Sequence, residues 1–281
     1  MVRIITDTTA ALRPEVANRF NIPVIPQYIN FGEDSYAEGI DMDIDTFMQR
    51  LQTSSELPKT AAPPPELFVN QYQRLVPMND TIICIHPSSA VSGTVRSARV
   101  AALDFPEADI RVIDTRLIAS PLGTLVELAA NWAESGMDAD TIESRIRNLM
   151  PRCQIYFLEA TLEYLAKGGR IGGASALLGS VLQVKPILSL QNGQVELFEK
   201  ERTMRRARKR LKDLVVQHYP RDGDGYLTVM HAGEFDLAED LANELRYLTN
   251  YPHIPVLHVP PAIITHAGPG VLGVGFFEAE Q

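Results

Sequence analysis

Cysteine is scarce: the 281 residues include only Cys84 and Cys153. Each lies inside an apolar strand-like run, and the two do not form a pair at metal-ligand spacing. Both read as inert core residues, and no metal site is expected. Long apolar runs are missing too. No stretch approaches the roughly 18 residues that a membrane span needs, so stable membrane insertion is not expected. The opening Met1–Thr6 has no basic n-region, apolar core or cleavage site and runs directly into a candidate strand. A cytoplasmic location is the expectation. Positive charge is in deficit, with 26 Lys and Arg against 35 Asp and Glu, a formal charge of −9. A phosphate-backbone binder carries a basic excess, so nucleic acid is excluded as the main partner.

What the chain does have is core-forming residues: 45% are hydrophobic and 22% charged, the balance of a globular protein with a sizeable core. Apolar runs at Val2–Thr6, Thr81–Ile85, Ile110–Asp114 and Ile155–Glu159 read as buried strands. Helical periodicity fills the spaces between them, near Leu12–Phe20, Pro65–Leu75, Val91–Leu103, Leu117–Glu134 and Asp138–Leu149. That alternation predicts a mostly parallel sheet flanked by helices. Further on, Lys185–Leu190 and Gln194–Glu199 flank Asn192-Gly193, a tight-hairpin signal. A basic helix over Thr203–His218, a strand over Tyr226–His231, a helix over Leu237–Leu248 and a strand over Ile254–Val259 follow. The expected fold is therefore two-domain α/β, with a mostly parallel N-terminal sheet over 1–155 and a mixed sheet over 156–281.

In open α/β sheets ligands bind beyond the carboxyl ends of strands. Three such ends carry hydroxyls: Thr6-Asp7-Thr8-Thr9, Ser88-Ser89-Ala90-Val91-Ser92-Gly93-Thr94 and Thr115-Arg116. Thr60 adds another in Lys59-Thr60-Ala61-Ala62-Pro63. Ser92 reads either as an N-cap or as part of an anion site at a helix start, where Gly93 admits a ligand close to the backbone. Thr60 reads equally as a turn residue ahead of a proline-started helix. Two glycine pairs bracket Arg170, which fits a helix C-cap and surface turn as well as a functional cation. The apolar run from Ala176 to Leu190 is long enough to wall a tunnel, and core formation explains it equally well. His266 precedes Gly268-Pro269-Gly270-Val271-Leu272-Gly273, a literal G-x-G-x-x-G. Too little chain follows for a dinucleotide-binding unit, and the dinucleotide reading is rejected. Basic residues fill eight of the thirteen positions from Lys200 to Lys212. Most suit a solvated helix face, while Arg202 and Arg205 stand where a docking partner could be met.

Taken in order, these segments resemble the DegV family of bacterial fatty-acid-binding proteins (FakB-type) over nearly the whole chain. The carriers are Asp7-Thr8-Thr9, the Thr60 loop, Ser88 to Thr94, Val112-Ile113-Asp114-Thr115, Leu165 to Ile171, Lys185-Pro186-Ile187-Leu188 and His266 to Gly270. The resemblance implies two α/β domains with one long-chain acyl ligand, such as palmitate, stearate or oleate, buried between them. It implies that Thr60 and Ser92, beside Gly93, hold the carboxyl group and that Arg170 and His266 complete or flank that network. It further implies no catalysis by the chain itself. It implies too that a partner fatty acid kinase phosphorylates the bound acid and that the acyl phosphate enters phospholipid synthesis; Arg202 and Arg205, from the basic run, are where that kinase is expected to dock. No other cofactor is implied.

One departure stands out. The family usually reads Thr-Ser-Gln-Pro-Ser where this chain has Thr60-Ala61-Ala62-Pro63-Pro64, so head-group contacts beyond Thr60 are in question. Two other readings stay open. One is a stand-alone hydrolase or phosphotransferase, the hydrolase using Ser92 with His266 as base and Asp7 or Asp114 as orienter. Neither a G-x-S-x-G elbow nor a phosphate-binding G-x-x-x-x-G-K-[ST] is present. The other is a regulatory protein that has lost lipid binding.

Overall fold

The structure, a computed structural model, describes residues 1–177, 184–221 and 225–280. It divides into two compact units, residues 1–151 with 260–262 and residues 152–259 with 263–281.

The first unit is built from β1 (Val2–Asp7), α1 (Pro14–Phe20), β2 (Val24–Ile25), β3 (Tyr28–Phe31), β4 (Asp34–Ala37), α2 (Ile44–Thr53), β5 (Lys59–Ala61), α3 (Pro65–Leu75), β6 (Thr81–His86), α4 (Thr94–Ala102), β7 (Ile110–Asp114), α5 (Ala119–Glu134) and α6 (Ala139–Leu149). The order β2-β1-β6-β7 is wholly parallel. Its strands read as continuous apolar runs because both faces are covered, and Ile5, Ile83, Cys84 and Ile85 are fully buried. Parallel strands also end on the same side, which places Asp7, His86 and Asp114 along one edge of the sheet. A separate antiparallel sheet, β4-β3-β5, was not expected from the sequence; its strands have only three or four residues, too short for a clear alternation. It pairs Thr60 with Ile29.

The second unit contains β8 (Cys153–Leu158), α7 (Glu163–Lys167), β9 (Lys185–Gln191), β10 (Gln194–Glu201), α8 (Met204–His218), β11 (Thr228–His231), α9 (Phe235–Thr249), β12 (Val256–His258), α10 (Pro261–Ala267, whose first residues group with the first unit) and β13 (Leu272–Phe277). Its sheet, in the order β10-β9-β8-β13-β11-β12, is mixed: only β11 and β12 run parallel. The β9–β10 turn has Asn192 and Gly193 at φ 51° and 82°, the conformation such a two-residue turn requires. The G-x-G-x-x-G segment leads into β13, a fully buried inner strand. The sequence reading missed this strand because its glycines mask a strand pattern. Gly273 is there for close packing: a Cβ would lie 3.2 Å from that of Phe157.

The cysteines differ from expectation in one respect. Cys84 is core, with the Tyr72 hydroxyl 3.2 Å from Sγ, and burial raises its thiol pKa to about 12. Cys153 opens β8 and is only half-buried. Part of the apolar run read as a tunnel wall, residues 178–183, lies outside the described residues; within the rest of it Ile187 and Leu188 are buried strand residues.

Ala207, Leu211, Leu214 and Val215 line one stripe of α8 and pack with Leu241 and Leu245 of α9 over Tyr156, Val274 and Phe276. Leu211 is fully buried in this layer. Leu211→Ala should cost about 2–5 kcal/mol of unfolding free energy in a urea titration.

Candidate functional site

At the carboxyl edge of the parallel sheet, Asp7 is fully removed from water. Its Oδ1 accepts the Thr9 backbone N–H at 3.0 Å, the Thr9 hydroxyl at 2.6 Å and the Gln27 side-chain amide at 3.0 Å. Oδ2 lies 2.7 Å from Nδ1 of His86, also fully buried, whose ring meets Phe68 edge-on. Gln27 Nε2 donates a second time, to Thr94 Oγ1 at 2.9 Å, and Thr94 Oγ1 is 2.8 Å from Ser92 Oγ. The Thr94 backbone N–H also donates to Ser92 Oγ at 3.3 Å. A continuous line of polar groups therefore runs from His86 through Asp7, Gln27 and Thr94 to Ser92.

Ser92 is not the N-cap. Helix α4 starts at Thr94 and Gly93 occupies the cap position, because a turn closing from Ser92 N–H to the Ser88 carbonyl (3.0 Å) delays the helix. Gly93 answers to space: a Cβ there would come within 3.3 Å of the Ala62 Cβ. The structure thus brings the strand bearing Thr60 alongside Ser92-Gly93. The other strand-end hydroxyls are used locally. Ser89 bonds Asp114, and Thr115 donates to the His86 carbonyl at 2.8 Å. Asp114 also pairs with Arg116 at 3.3 Å.

Sequence reasoning missed Gln27, His86 and Glu38. Glu38 is buried, takes the Thr8 hydroxyl on Oε2 and accepts the Ala262 N–H on Oε1 at 3.0 Å. Burial, with a smaller push from the Asp7 charge, raises its pKa from 4.5 to about 7 against the lowering effect of those two bonds. None of these three belongs to a motif, and only their fold neighbours reveal them.

In the second unit two motifs clasp each other. Gly168 caps the C-terminus of α7, and Arg170 Nη1 folds back on the Gly168 carbonyl at 2.6 Å. His266 lies in the last turn of α10, not in a loop as its glycine-rich surroundings suggested. A Cβ at residue 168 would sit 2.3 Å from His266 Nδ1, and one at residue 268, where φ is +84°, would sit 2.6 Å from the Tyr164 ring. Burial first, and the Arg170 charge second, lower the His266 pKa to about 4. At neutral pH Arg170 is therefore the cation of this pair and His266 a neutral imidazole.

Arg202 sits in the turn before α8 and Arg205 in its first turn. Both are exposed, and neither is in an ion pair among the described residues. Arg210 and Lys212 of the same basic run are tied to Glu199 and Glu244.

Comparison with known proteins places this architecture. A family model described as "Uncharacterised protein, DegV family" matches residues 1–279. The chain belongs to the DegV family. A DegV domain-containing protein of Streptomyces coelicolor is 37% identical over 280 residues, covering 97% of each chain. The crystal structure of the fatty acid binding protein DegV from Bacillus subtilis superposes with a TM-score of 0.90 at 31% identity, covering 99% of each chain. That of a fatty acid binding DegV family protein from Streptococcus agalactiae gives 0.91 at 28% identity over 100% of this chain and 99% of that one. As in those DegV structures, the fold is α/β with one parallel and one mixed sheet. No described helix is long and apolar enough to cross a membrane.

Glu38 makes stability pH-dependent. Between about pH 4.5 and 7 the unfolded chain loses this proton while the folded chain keeps it, so stability falls as pH rises through that window. The loss is on the order of 3 kcal/mol. Glu38→Gln can keep the Ala262 N–H on its oxygen and turn its NH₂ to donate to the Thr8 hydroxyl oxygen, as the neutral acid does, without the charge. Urea titrations should find it close to wild type at pH 4.5 and more stable at pH 8; equal stability at both values would rule out the burial argument.

Proposed function

We propose that the chain binds a long-chain fatty acid by its carboxyl group and presents it to a fatty acid kinase, without catalysing a reaction itself. In this reading Thr60, Ser92 and Gly93 of the first unit and Arg170 and His266 of the second are the head-group residues. Arg202 and Arg205 meet the kinase. The ligand class is supported by the two DegV relatives described as fatty acid binding, 28% and 31% identical to this chain over nearly its full length.

The observation that carries the reading is the chemistry behind Ser92. A hydrolytic serine needs a base within hydrogen-bond reach. The side-chain partner of Ser92 is instead the Thr94 hydroxyl, and behind it stands an amide. Neither takes a proton at neutral pH. The arrangement suits a hydroxyl that donates to a ligand rather than one that attacks it. Asp114, the other carboxylate considered as an orienter, is engaged with Ser89 and Arg116.

The energetics fit. An acyl chain of about sixteen carbons gains roughly 0.8 kcal/mol per buried CH₂, near 10 kcal/mol before the costs of association. A carboxylate left unpaired would erase much of that gain, so selective uptake of an acid requires donors and a cation at its head group. Two hydroxyls and Arg170 supply those, and neutral His266 adds no competing charge.

Organic extraction of the purified protein followed by mass spectrometry should return a C14–C18 fatty acid; an empty protein that also refuses added fatty acid would overturn the reading. Ser92→Ala combined with Thr60→Ala should weaken fatty acid binding by about ten- to hundredfold without unfolding the chain, as expected for lost hydrogen bonds to a charged group. Arg202→Glu with Arg205→Glu should slow phosphorylation of the bound acid by the kinase while leaving lipid affinity unchanged. If lipid affinity falls as well, the docking assignment is wrong.

A further inference from the structure

A hydroxyl can donate or accept, so the selectivity of Ser92 depends on which way its proton points. The groups behind it settle this one bond at a time. Both oxygens of Asp7 are acceptors, Oδ1 for three donors. The Gln27 side chain must therefore turn its NH₂ group, not its carbonyl, toward Asp7. That NH₂ has a second proton, and it points at Thr94 Oγ1 at 2.9 Å. Thr94 is fully buried, and the described side-chain partners of its hydroxyl are Gln27 and Ser92. Gln27 offers a donor, so the Thr94 proton goes to Ser92 Oγ. The Thr94 backbone N–H reaches the same oxygen. With both acceptor sites on Ser92 Oγ taken, its own proton is left to point away from the network.

We propose that Gln27 is a positioning residue that sets Ser92 as an obligate donor and thereby makes the head-group site selective for an acceptor such as a carboxylate. The proposal rests on the reading of Ser92 as a head-group residue. Gln27 is held for this task at both ends of its backbone. Its N–H donates to Thr8 Oγ1 at 3.0 Å, and its carbonyl accepts the Glu38 N–H at 2.9 Å. Its side chain is almost wholly buried, so it acts through Thr94 and not by touching a ligand.

The substitution Gln27→Glu keeps the shape and reverses the logic. Beside Asp7 the new side chain takes a proton and donates it to that carboxylate, and the same oxygen, with no second proton to give, turns a lone pair toward Thr94. The Thr94 hydroxyl then donates to residue 27, and the Ser92 proton turns inward. Gln27→Met removes the orientation altogether. Thr94→Ser preserves the line of donors and Thr94→Val breaks it.

The test measures the affinity of the full-length protein for oleate and for oleyl alcohol, which has the same chain but a head group able to donate its own proton. In Gln27→Glu, Gln27→Met and Thr94→Val, oleate affinity should fall about ten- to hundredfold. Oleyl alcohol affinity should change less than threefold, and Thr94→Ser should bind both as wild type does. A parallel loss of acid and alcohol would mean that Gln27 serves the fold alone and would overturn the proposal, as would unchanged oleate affinity in all three variants. Ser92→Ala separates the two levels of the argument. If it lowers oleate affinity while the Gln27 variants do not, the positioning role fails and the head-group reading stands. If Ser92→Ala has no effect, the head-group reading fails first. A Gln27 variant that does not fold is replaced by the Thr94 pair, where the valine and serine outcomes decide in the same way.

Discussion

A carboxylate removed from water at the end of a parallel strand has to be met by donors, and much of the first unit is arranged to meet Asp7. Burying a charge without partners costs several kcal/mol, so the four bonds to its two oxygens come close to being a condition of folding. They tie the end of β1 to its own following turn, to β6 through His86 and to the segment between β2 and β3 through Gln27. Gln27 in turn reaches the start of α4. One buried group thus brings separate stretches of chain into register around Ser92, where the proposed ligand contact is made. The hydroxyl-rich strand ends of the sequence are mostly structural in this light. Thr9, Ser89 and Thr115 satisfy local groups, and Ser92 alone is left at the outer end of the line.

The second unit solves a different problem. Arg170 and His266 come from segments nearly a hundred residues apart in sequence, and each is held by glycine on the opposite segment or its own. Gly168 makes room for the imidazole, and Gly268 makes room for Tyr164. The clasp is steric before it is electrostatic: a side chain at residue 168 would displace His266. Proximity to Arg170 adds to burial in keeping His266 neutral. A fixed cation beside a neutral imidazole is a suitable receptor for one negative charge, since a second cation would have to be desolvated at additional cost.

Legibility in the sequence followed length and periodicity. Strands β1, β6 and β7 of the parallel sheet, the hairpin at Asn192-Gly193 and helices such as α3, α5, α6 and α8 were readable to within a few residues, because apolar runs and amphipathic stripes persist over a whole element; the two-residue β2 was not. The sheet β4-β3-β5 was not, since three or four residues do not establish a period. β13 was hidden by Gly273 and Gly275, which weaken a strand signal although the strand is wholly buried. Ser92 was identifiable as a candidate because hydroxyls followed strand ends, and Thr60 as a further hydroxyl in what read as a loop and is strand β5. Gln27 and Glu38 were not, because a lone amide or carboxylate between short elements carries no pattern; their importance comes from burial and partners, which are properties of the fold.

The replacement of polar residues at Ala61 and Ala62 can now be weighed in space. Ala61 is exposed, and Ala62 lies where its Cβ limits the room at Gly93. A hydroxyl at an exposed position stays hydrated and adds little to a head-group contact, so its loss at residue 61 is mild. Residue 62 stands nearer the site, its Cβ 3.3 Å from where a Cβ at residue 93 would lie, so the absence of an amide there removes a polar group from beside Ser92-Gly93. In the proposed site fewer donors then come from this strand, and Ser92, oriented in the proposal by Thr94 and Gln27, carries more of the contact. Where the rim of a site is stripped of polar side chains, the buried groups that orient those remaining carry a larger share of its selectivity.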